Sequence, residues 1–292
     1  MSVPQAQACD PVETAGTPVA PAGLGAPSRR VLARLAAWRG SLSRLRWWAV
    51  RALAPRRVVR ARGLAFTLQC DNWITRYRYD SYTSKEPETL EWIDRRLRPG
   101  DTVFDVGANI GLYSIYAALR HADCRVIAFE PEYANLHFLR DNILHNRLQG
   151  RVEVYAMGVG NRSGLSRLHI QDLTPGAALH TESREALRLT MSRKPVIWRE
   201  GIYTMTLDQF CEETGCVPNG IKIDVDGTEP QVLEGAVGTL ERPELRSVLI
   251  ELPDDHAAQE ACEQRLAAAG LSREWDGRLS QSSNQLWVRR GA

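Results

Sequence analysis

Beyond residue 100, short apolar runs alternate with longer segments whose apolar residues recur at helical spacing. Runs such as TVFDVG, VIAFEP and GIKIDV predict buried strands, and the segments between them predict amphipathic helices. Strands that alternate with helices are typical of a parallel sheet with helices on both faces. The pattern therefore predicts an α/β fold for this part of the chain.

The C-terminal end of the pattern is different. SREWDG and NQLWVRR predict two strands without a helix between them, which makes an antiparallel pair. A mostly parallel open sheet that finishes in a C-terminal antiparallel hairpin is the outline of the class I SAM-methyltransferase (Rossmann-like) fold. We therefore expect that fold class for residues 58–292.

Several segments are harder to assign from the pattern. Residues 58–79 predict a short hairpin around Gly63, VEVYAMGV predicts one strand, and EPQVLEGAVGTL predicts one helix. Residues 171–204 show neither period and are too long for an ordinary connection between a strand and a helix. They are predicted to be a variable acceptor-side segment, either an insertion over the site or a flexible lid.

The N-terminal region has a different composition. Residues 1–28 are rich in Ala, Pro and Gly and predict a disordered tail, and residues 29–57 predict a basic amphipathic helical arm. Of the 37 Lys and Arg residues, eleven lie in 29–62, which leaves 26 against 35 acidic residues elsewhere. The arm could lie on an anionic membrane or pack on the acidic body. An acidic body argues against nucleic acid as a partner.

The cellular location is predicted from cysteine usage and hydropathy. The six Cys are scattered without a zinc-binding pattern, which favours free thiols in a reducing compartment. The N-terminus lacks the pattern of a signal peptide, and no apolar stretch approaches the ~20 residues of a membrane span. We expect a cytoplasmic protein, with peripheral membrane contact through residues 29–57 left open.

The motif DVGANIG follows the first strand of the alternating pattern and leads into a helix. Asp105 ends the strand, and Gly107, Asn109 and Gly111 form the turn, where free helix N–H groups can hold an anion. The middle Gly of the dinucleotide fingerprint G-x-G-x-x-G is absent. The turn therefore suits a smaller anionic group such as an amino-acid carboxylate, or it is a tight turn without a ligand.

Glu130 ends the second strand, 19 residues beyond Gly111, where an acid can accept both hydroxyls of a ribose. Together, the turn and this acid predict a nucleoside ligand with a carboxylate-bearing tail and few phosphates. S-adenosylmethionine (SAM) fits that description, and its sulfonium would be attracted by nearby acids. The alternative is an NAD-dependent oxidoreductase on a Rossmann-like fold, which the missing Gly disfavours.

The stretch KIDVDGTEP contains three acids, and two of them are candidates for catalysis. Asp224 ends a strand and should reach the crevice beside the Gly turn, and Glu229 lies in the first turn of the next helix. Glu229 is equally explained as a helix-start acid, and Asp226 as a turn residue. The positions do not fit a calcium loop. A divalent metal is compatible with these acids but not favoured, and we assign no metal ligands.

Further candidates lie outside these motifs. Glu251 ends the fifth strand, and His256 follows it as a candidate proton acceptor by its intrinsic pKa, or as a surface residue at a helix start. Tyr82 and Trp198 could line the acceptor pocket, a suggestion that rests only on their aromatic side chains.

The segments PGDTVFDVGANIGLYSI, VIAFEP, LRDNILHN, TLDQF, IKIDVDGTEPQVLEGA and VLIEL occur in the order found in FkbM-family methyltransferases. The chain resembles that family over roughly residues 82–255. The resemblance implies SAM-dependent O-methylation of a sugar, glycan, lipid or polyketide-type small molecule, and it assigns Glu86 in KEPET to the cofactor site. Asp226 departs from the pattern, which more often has Glu. A non-catalytic protein of this fold, docked through its basic arm, is the remaining alternative.

Overall fold

The computed structural model describes residues 45–46, 55–178, 180, 195–253, 255–276 and 283–291. The chain divides into two units, Met1–Leu53 and Ala54–Ala292. In the first unit only residues 45–46 are described, and they are helical and exposed. The predicted tail and most of the predicted arm therefore lie outside the described residues. No helix in the described part is long and apolar enough to cross a bilayer.

An antiparallel hairpin and two helices open the second unit. Strands β1 (Arg56–Ala61) and β2 (Leu64–Gln69) pair around Arg62 and Gly63. Both turn residues have positive φ, as a two-residue type I′ turn requires, so the predicted hairpin is confirmed there. Its extension to residue 79 is wrong, because a capping box at Asn72 starts helix α1 (Trp73–Ser81). Helix α2 (Pro87–Arg96) follows, with Pro87 at its first position.

The remaining elements follow in chain order. The strands are β3 (Thr102–Val106), β4 (Arg125–Phe129), β5 (Val152–Tyr155), β6 (Gly158–Val159), β7 (Gly164–Ile170), β8 (Trp198–Met205), β9 (Gly220–Ile223), β10 (Ser247–Glu251), β11 (Leu271–Asp276) and β12 (Asn284–Arg289). The helices are α3 (Leu112–Arg120), α4 (Tyr133–His145), α5 (Leu207–Thr214), α6 (Glu229–Glu234), α7 (Val237–Glu241) and α8 (His256–Ala268).

Seven strands form the central sheet in the order β11-β12-β10-β9-β3-β4-β5. The strands from β10 to β5 are parallel, and β12 and β11 are antiparallel to their neighbours. Alternate residues of each buried strand enter different apolar clusters. Val103 and Val126 lie in one cluster, and Phe104 and Ile127 lie in the other. This is the predicted class I methyltransferase fold.

The structure differs from the predicted elements in three places. VEVYAMGV divides into β5 and β6, and β6 joins a separate three-stranded sheet with β8 and β7. That sheet also takes in the end of the unpatterned segment 171–204. The helix predicted for EPQVLEGAVGTL divides into α6 and α7 at Gly235, where a Cβ atom would lie 2.0 Å from the carbonyl oxygen of Gly160. Close approach of the two backbones thus requires glycine at the break.

Candidate functional site

A cleft opens where strands β3, β4, β9 and β10 end, the edge at which open α/β sheets bind ligands. Its volume is about 280 Å³. Six polar or glycine positions in its lining matter for chemistry: Gly107, Asn109, Glu130, Asp224, Asp226 and Glu251. Four of them were predicted as site residues and Glu251 was named as a further candidate, and the fold brings these five together from four separate strand ends.

The glycines of the turn after β3 are required by packing between segments of the chain. Gly107 has a φ of +85°, and a Cβ atom there would lie 1.8 Å from the carbonyl oxygen of Asp224. Gly111 has a φ of +87°, and its Cβ would lie 2.5 Å from Cδ1 of Leu139 on α4. Gly107 lines the cleft, whereas Gly111 does not. Gly111 therefore serves the contact between α3 and α4.

Glu130 connects the Gly turn to the end of β4. Its Oε2 accepts a hydrogen bond of 2.7 Å from the backbone N–H of Asn109, and its Oε1 accepts one of 2.9 Å from that of Glu132. The residue is 5% exposed. Burial raises the pKa of Glu130 to about 8, against the opposing effect of the two N–H donors. An ionised carboxylate has about four acceptor positions, so two remain for a ligand in the cleft.

Asp224 lies at the end of β9 beside a buried lysine. The Nζ atom of Lys222, a residue 3% exposed, donates a hydrogen bond of 2.6 Å to Oδ2 of Asp224. Burial opposes ionisation of Asp224, but Lys222 and a hydrogen bond with Glu251 hold its pKa well below the usual range. Burial also opposes the charge on Lys222, yet the surrounding carboxylates raise its pKa. Asp224 is therefore ionised at neutral pH.

Two predicted cofactor residues lie behind this ion pair rather than in the cleft lining. Glu86 is buried before α2 and accepts a hydrogen bond of 2.9 Å from Nζ of Lys85, which itself lines the cleft. Asp105 pairs with Lys222 in the β3–β9 register and accepts a hydrogen bond from Ser114. Burial raises the pKa of Asp105. Both acids help to balance the charge of the buried lysine.

Glu229 is buried and anchors the loop after β9. Its Oε1 accepts hydrogen bonds of 3.2 Å from the backbone N–H of Val225 and 3.1 Å from that of Gly227. Among the described residues, its Oε2 has no hydrogen-bond partner. Burial raises the pKa of Glu229 to about 7. The side chain does not line the cleft, so it acts on the loop that carries Asp226.

The other predicted candidates lie away from the cleft. His256 is exposed at the first position of α8, which fits its alternative interpretation as a surface residue. Tyr82 is buried against Phe66, with their ring centroids 5.4 Å apart, and Trp198 is exposed at the start of β8. The suggestion that Tyr82 and Trp198 line the pocket is wrong, because aromatic character alone does not distinguish a core residue from a pocket residue.

A strap, defined here as residues 174–178, crosses the edge of the cleft. It belongs to segment 171–204, which was expected to be an insertion over the site or a flexible lid, but the contacts that hold it were not predicted. Asn135 on α4 donates from Nδ2 to the carbonyl oxygen of Ala177 at 3.1 Å and accepts from the backbone N–H of Gly176 at 2.7 Å. Asn109 donates to the same Ala177 oxygen at 2.8 Å. Arg78 on α1 donates to the Gly176 carbonyl at 2.5 Å. Arg78 and Asn135 resemble ordinary helix positions in the sequence, so no local pattern identifies them as anchors of the strap.

The described residues contain no group of three or more His, Cys, Asp or Glu side chains that could hold a metal ion.

The strand order, the C-terminal hairpin and the cleft define a class I methyltransferase. The sequence profile for the methyltransferase FkbM domain matches residues 105–275, more than half of the chain. The chain therefore belongs to the FkbM methyltransferase family, and methyl transfer is its reaction class.

The chain is also similar to individual known proteins. The chain is 33% identical over 178 residues to the 31-O-demethyl-FK506 methyltransferase FkbM of Streptomyces tacrolimicus, covering 54% of this chain and 67% of the relative. It is 28% identical over 149 residues to Methyltransferase 1 of Beauveria bassiana, covering 47% of this chain and 59% of the relative. The crystal structure of an FkbM methyltransferase from Methylobacillus flagellatus covers 75% of this chain and 55% of its own, at 16% identity and a TM-score of 0.41.

Proposed function

We propose that the chain transfers a methyl group from SAM to a hydroxyl oxygen of a sugar, glycan, lipid or polyketide-type small molecule. The observation that carries the proposal is that Glu130 and the ionised Asp224 line one cleft. Hydroxyl acceptors are supported by the Streptomyces relative, whose name describes a methyltransferase for a 31-O-demethylated compound.

The cleft residues fit SAM in charge and in hydrogen-bonding capacity. Glu130 retains acceptor positions suited to two ribose hydroxyls. The backbone N–H groups of residues 107–111 already donate within the chain, so the predicted carboxylate site at this turn has no free N–H donor there. Asp224 and Asp226 also line the cleft and favour a bound cation. SAM supplies an electrophilic methyl group carried on a sulfonium.

Asp224 is the residue of this chain best placed to receive the hydroxyl proton of an acceptor. A hydroxyl oxygen becomes a better nucleophile as its proton leaves, and a positioned carboxylate that accepts the proton contributes about 10²–10⁴-fold to rate. Nζ of Lys222 already donates a hydrogen bond to Oδ2 of Asp224. A hydroxyl in the cleft would therefore bind at the remaining acceptor positions of this carboxylate. Alignment of acceptor and methyl group supplies the rest of the acceleration.

Calorimetry on the full chain tests cofactor choice. We expect SAM and its demethylated product to bind and NADH not to bind. A folded protein that binds neither SAM nor the product contradicts the proposal, and tight NADH binding would favour the oxidoreductase alternative instead.

Transfer of radiolabelled methyl to a panel of sugars, glycans, lipids and polyketide-type alcohols tests the acceptor. Asp224→Asn should retain product binding and lose about 100-fold or more in turnover. Asp123→Asn, at an exposed turn, is the matched control and should leave turnover unchanged. Full turnover by Asp224→Asn would remove Asp224 from the proposed role, and transfer to no hydroxyl compound would count against O-methylation.

A further inference from the structure

Asp224 and Glu251 follow directly after residues that are paired across two parallel strands. Ile223 on β9 is in register with Ile250 on β10, so the next residue of each strand stands beside the other at the cleft. Side chains of neighbouring residues in register point to the same face of a sheet. Both carboxyl groups line the cleft, and they are hydrogen-bonded to one another. Two carboxyl groups in such contact share one proton at neutral pH.

The neighbouring charges decide which carboxyl group keeps the proton. Nζ of Lys222 lies 2.6 Å from Oδ2 of Asp224 and favours the ionised form of that residue. The negative charge of Asp224, followed by burial, raises the pKa of Glu251 to about 10. Glu251 is therefore the protonated partner, and its O–H group donates to the carboxylate of Asp224.

Building on the proposed function, we propose that Glu251 is a positioning residue, which as a neutral acid donates a hydrogen bond to Asp224 and holds that carboxylate ionised and directed into the cleft. Lys222 then restrains Asp224 from inside the protein, and Glu251 restrains it from the neighbouring strand. With two donors holding it, the carboxylate keeps its orientation when an acceptor hydroxyl arrives.

The groups that face this pair come from several elements. Lys222 belongs to β9, Lys85 and Glu86 precede α2, and Tyr113 belongs to α3. Although burial opposes their charge, nearby carboxylates raise the pKa of both lysines above its ordinary value. Burial raises the pKa of Tyr113 well above its ordinary value. The two lysines and Tyr113 therefore keep their protons up to the pH at which Glu251 ionises.

Three variants separate a proton-donating role from a merely structural one. Glu251→Gln keeps an N–H donor but cannot ionise, Glu251→Leu removes the donor, and Glu241→Gln changes an exposed glutamate as the control. The wild-type rate of methyl transfer should fall as pH rises through about 10. Glu251→Gln should stay within about threefold of wild type at pH 8 and lack this alkaline decline.

The rate of methyl transfer by Glu251→Leu should be about tenfold or more below that of the wild type at pH 8. Loss of the donor raises the pKa of Asp224, so the acid side of its pH–rate profile should move to higher pH. If Glu251→Leu had the wild-type rate and profile, the positioning role would be refuted. If Glu251→Leu does not fold, Glu251→Gln still tests the proposal, because an alkaline decline in its rate like that of the wild type would refute the role of Glu251.

Carboxyl ¹³C NMR of the full chain without ligand measures directly whether the Glu251 carboxyl group carries a proton. We expect one resonance that titrates near pH 10 in the wild type and is missing in Glu251→Gln. Glu130 and Glu229 should titrate near pH 8 and 7, so if no carboxyl resonance titrates above pH 9, Glu251 is not the neutral donor. This measurement uses no cofactor, so it remains valid even if calorimetry shows that the protein does not bind SAM, which would instead overturn the proposed function.

Discussion

Gly107 and Asp224 meet backbone to backbone, since a Cβ atom on Gly107 would lie 1.8 Å from the carbonyl oxygen of Asp224. This contact joins the turn after β3 to the end of β9, the two segments between which the cleft opens. The glycine satisfies two demands at once, a positive φ and the close approach of another backbone.

Gly107→Ala should therefore destabilise the protein by more than its backbone conformation alone explains. Gly100 is a matched control, because it has a φ of +83° and no atom within 4 Å of its Cβ position. We expect Gly100→Ala to lower the free energy of unfolding by about 1–2 kcal/mol, the penalty of left-handed backbone. Gly107→Ala should cost about 3 kcal/mol or more in urea denaturation. Equal losses would show that the Asp224 contact is unimportant.

Glu130→Gln should weaken SAM binding by about 10–100-fold, the effect of removing hydrogen bonds to a charged acceptor. Ribose hydroxyls donate to the ionised carboxylate, and burial raises the pKa of Glu130 to about 8. Wild-type affinity should accordingly rise with pH up to about 8 and then level off, and the variant should lack this rise. Calorimetry between pH 6 and 9 measures both, with exposed Glu212→Gln as control. A pH-independent wild-type affinity would contradict this role.

Glu229→Gln should alter how stability depends on pH. Burial raises the pKa of Glu229 to about 7 in the folded protein, above its ordinary value of 4.5. The folded state thus binds more protons between these pH values, and its stability falls as pH rises through them. The amide of the variant cannot ionise. Between pH 4.5 and 7.5, the free energy of unfolding of the variant should therefore fall by about 1–3 kcal/mol less than that of the wild type. Urea unfolding at both pH values is the measurement, and identical losses would refute it.

Asn135→Ala should loosen the strap. Gly176 loses its acceptor and Ala177 loses one donor, and one net hydrogen bond is worth about 1 kcal/mol. Amide hydrogen exchange at Gly176 should accelerate by about tenfold. Asn135→Asp keeps an acceptor for this amide and should retain most of its protection. Unchanged exchange in Asn135→Ala would mean that Arg78 and Asn109 are sufficient to hold the strap.

Local patterns were sufficient for the strands of the central sheet from β3 to β12 and for most of the helices between them, and they placed Gly107, Asn109, Glu130 and Asp224 at its cleft. A strand end followed by a glycine turn located Gly107, and strand ends located Glu130 and Asp224, because parallel strands all deliver their last residues to one edge of the sheet. The helix at residues 73–81 was missed because one capping residue, Asn72, outweighs a weak alternation in the sequence.

Other features depend on residues that are far apart in the chain. The pairing of Asp224 with Glu251 follows from the register of β9 against β10, and the strap depends on Asn135, 41 residues before the amide that it binds. Burial then sets the protonation of these groups: Asp224 is ionised beside Lys222 and Glu251 is neutral. The sequence by itself determined the class of fold and the acids that reach the cleft, because periodicity and strand ends are local. Only the tertiary structure decided which of these acids carry charge, because charge depends on neighbours that long-range packing supplies.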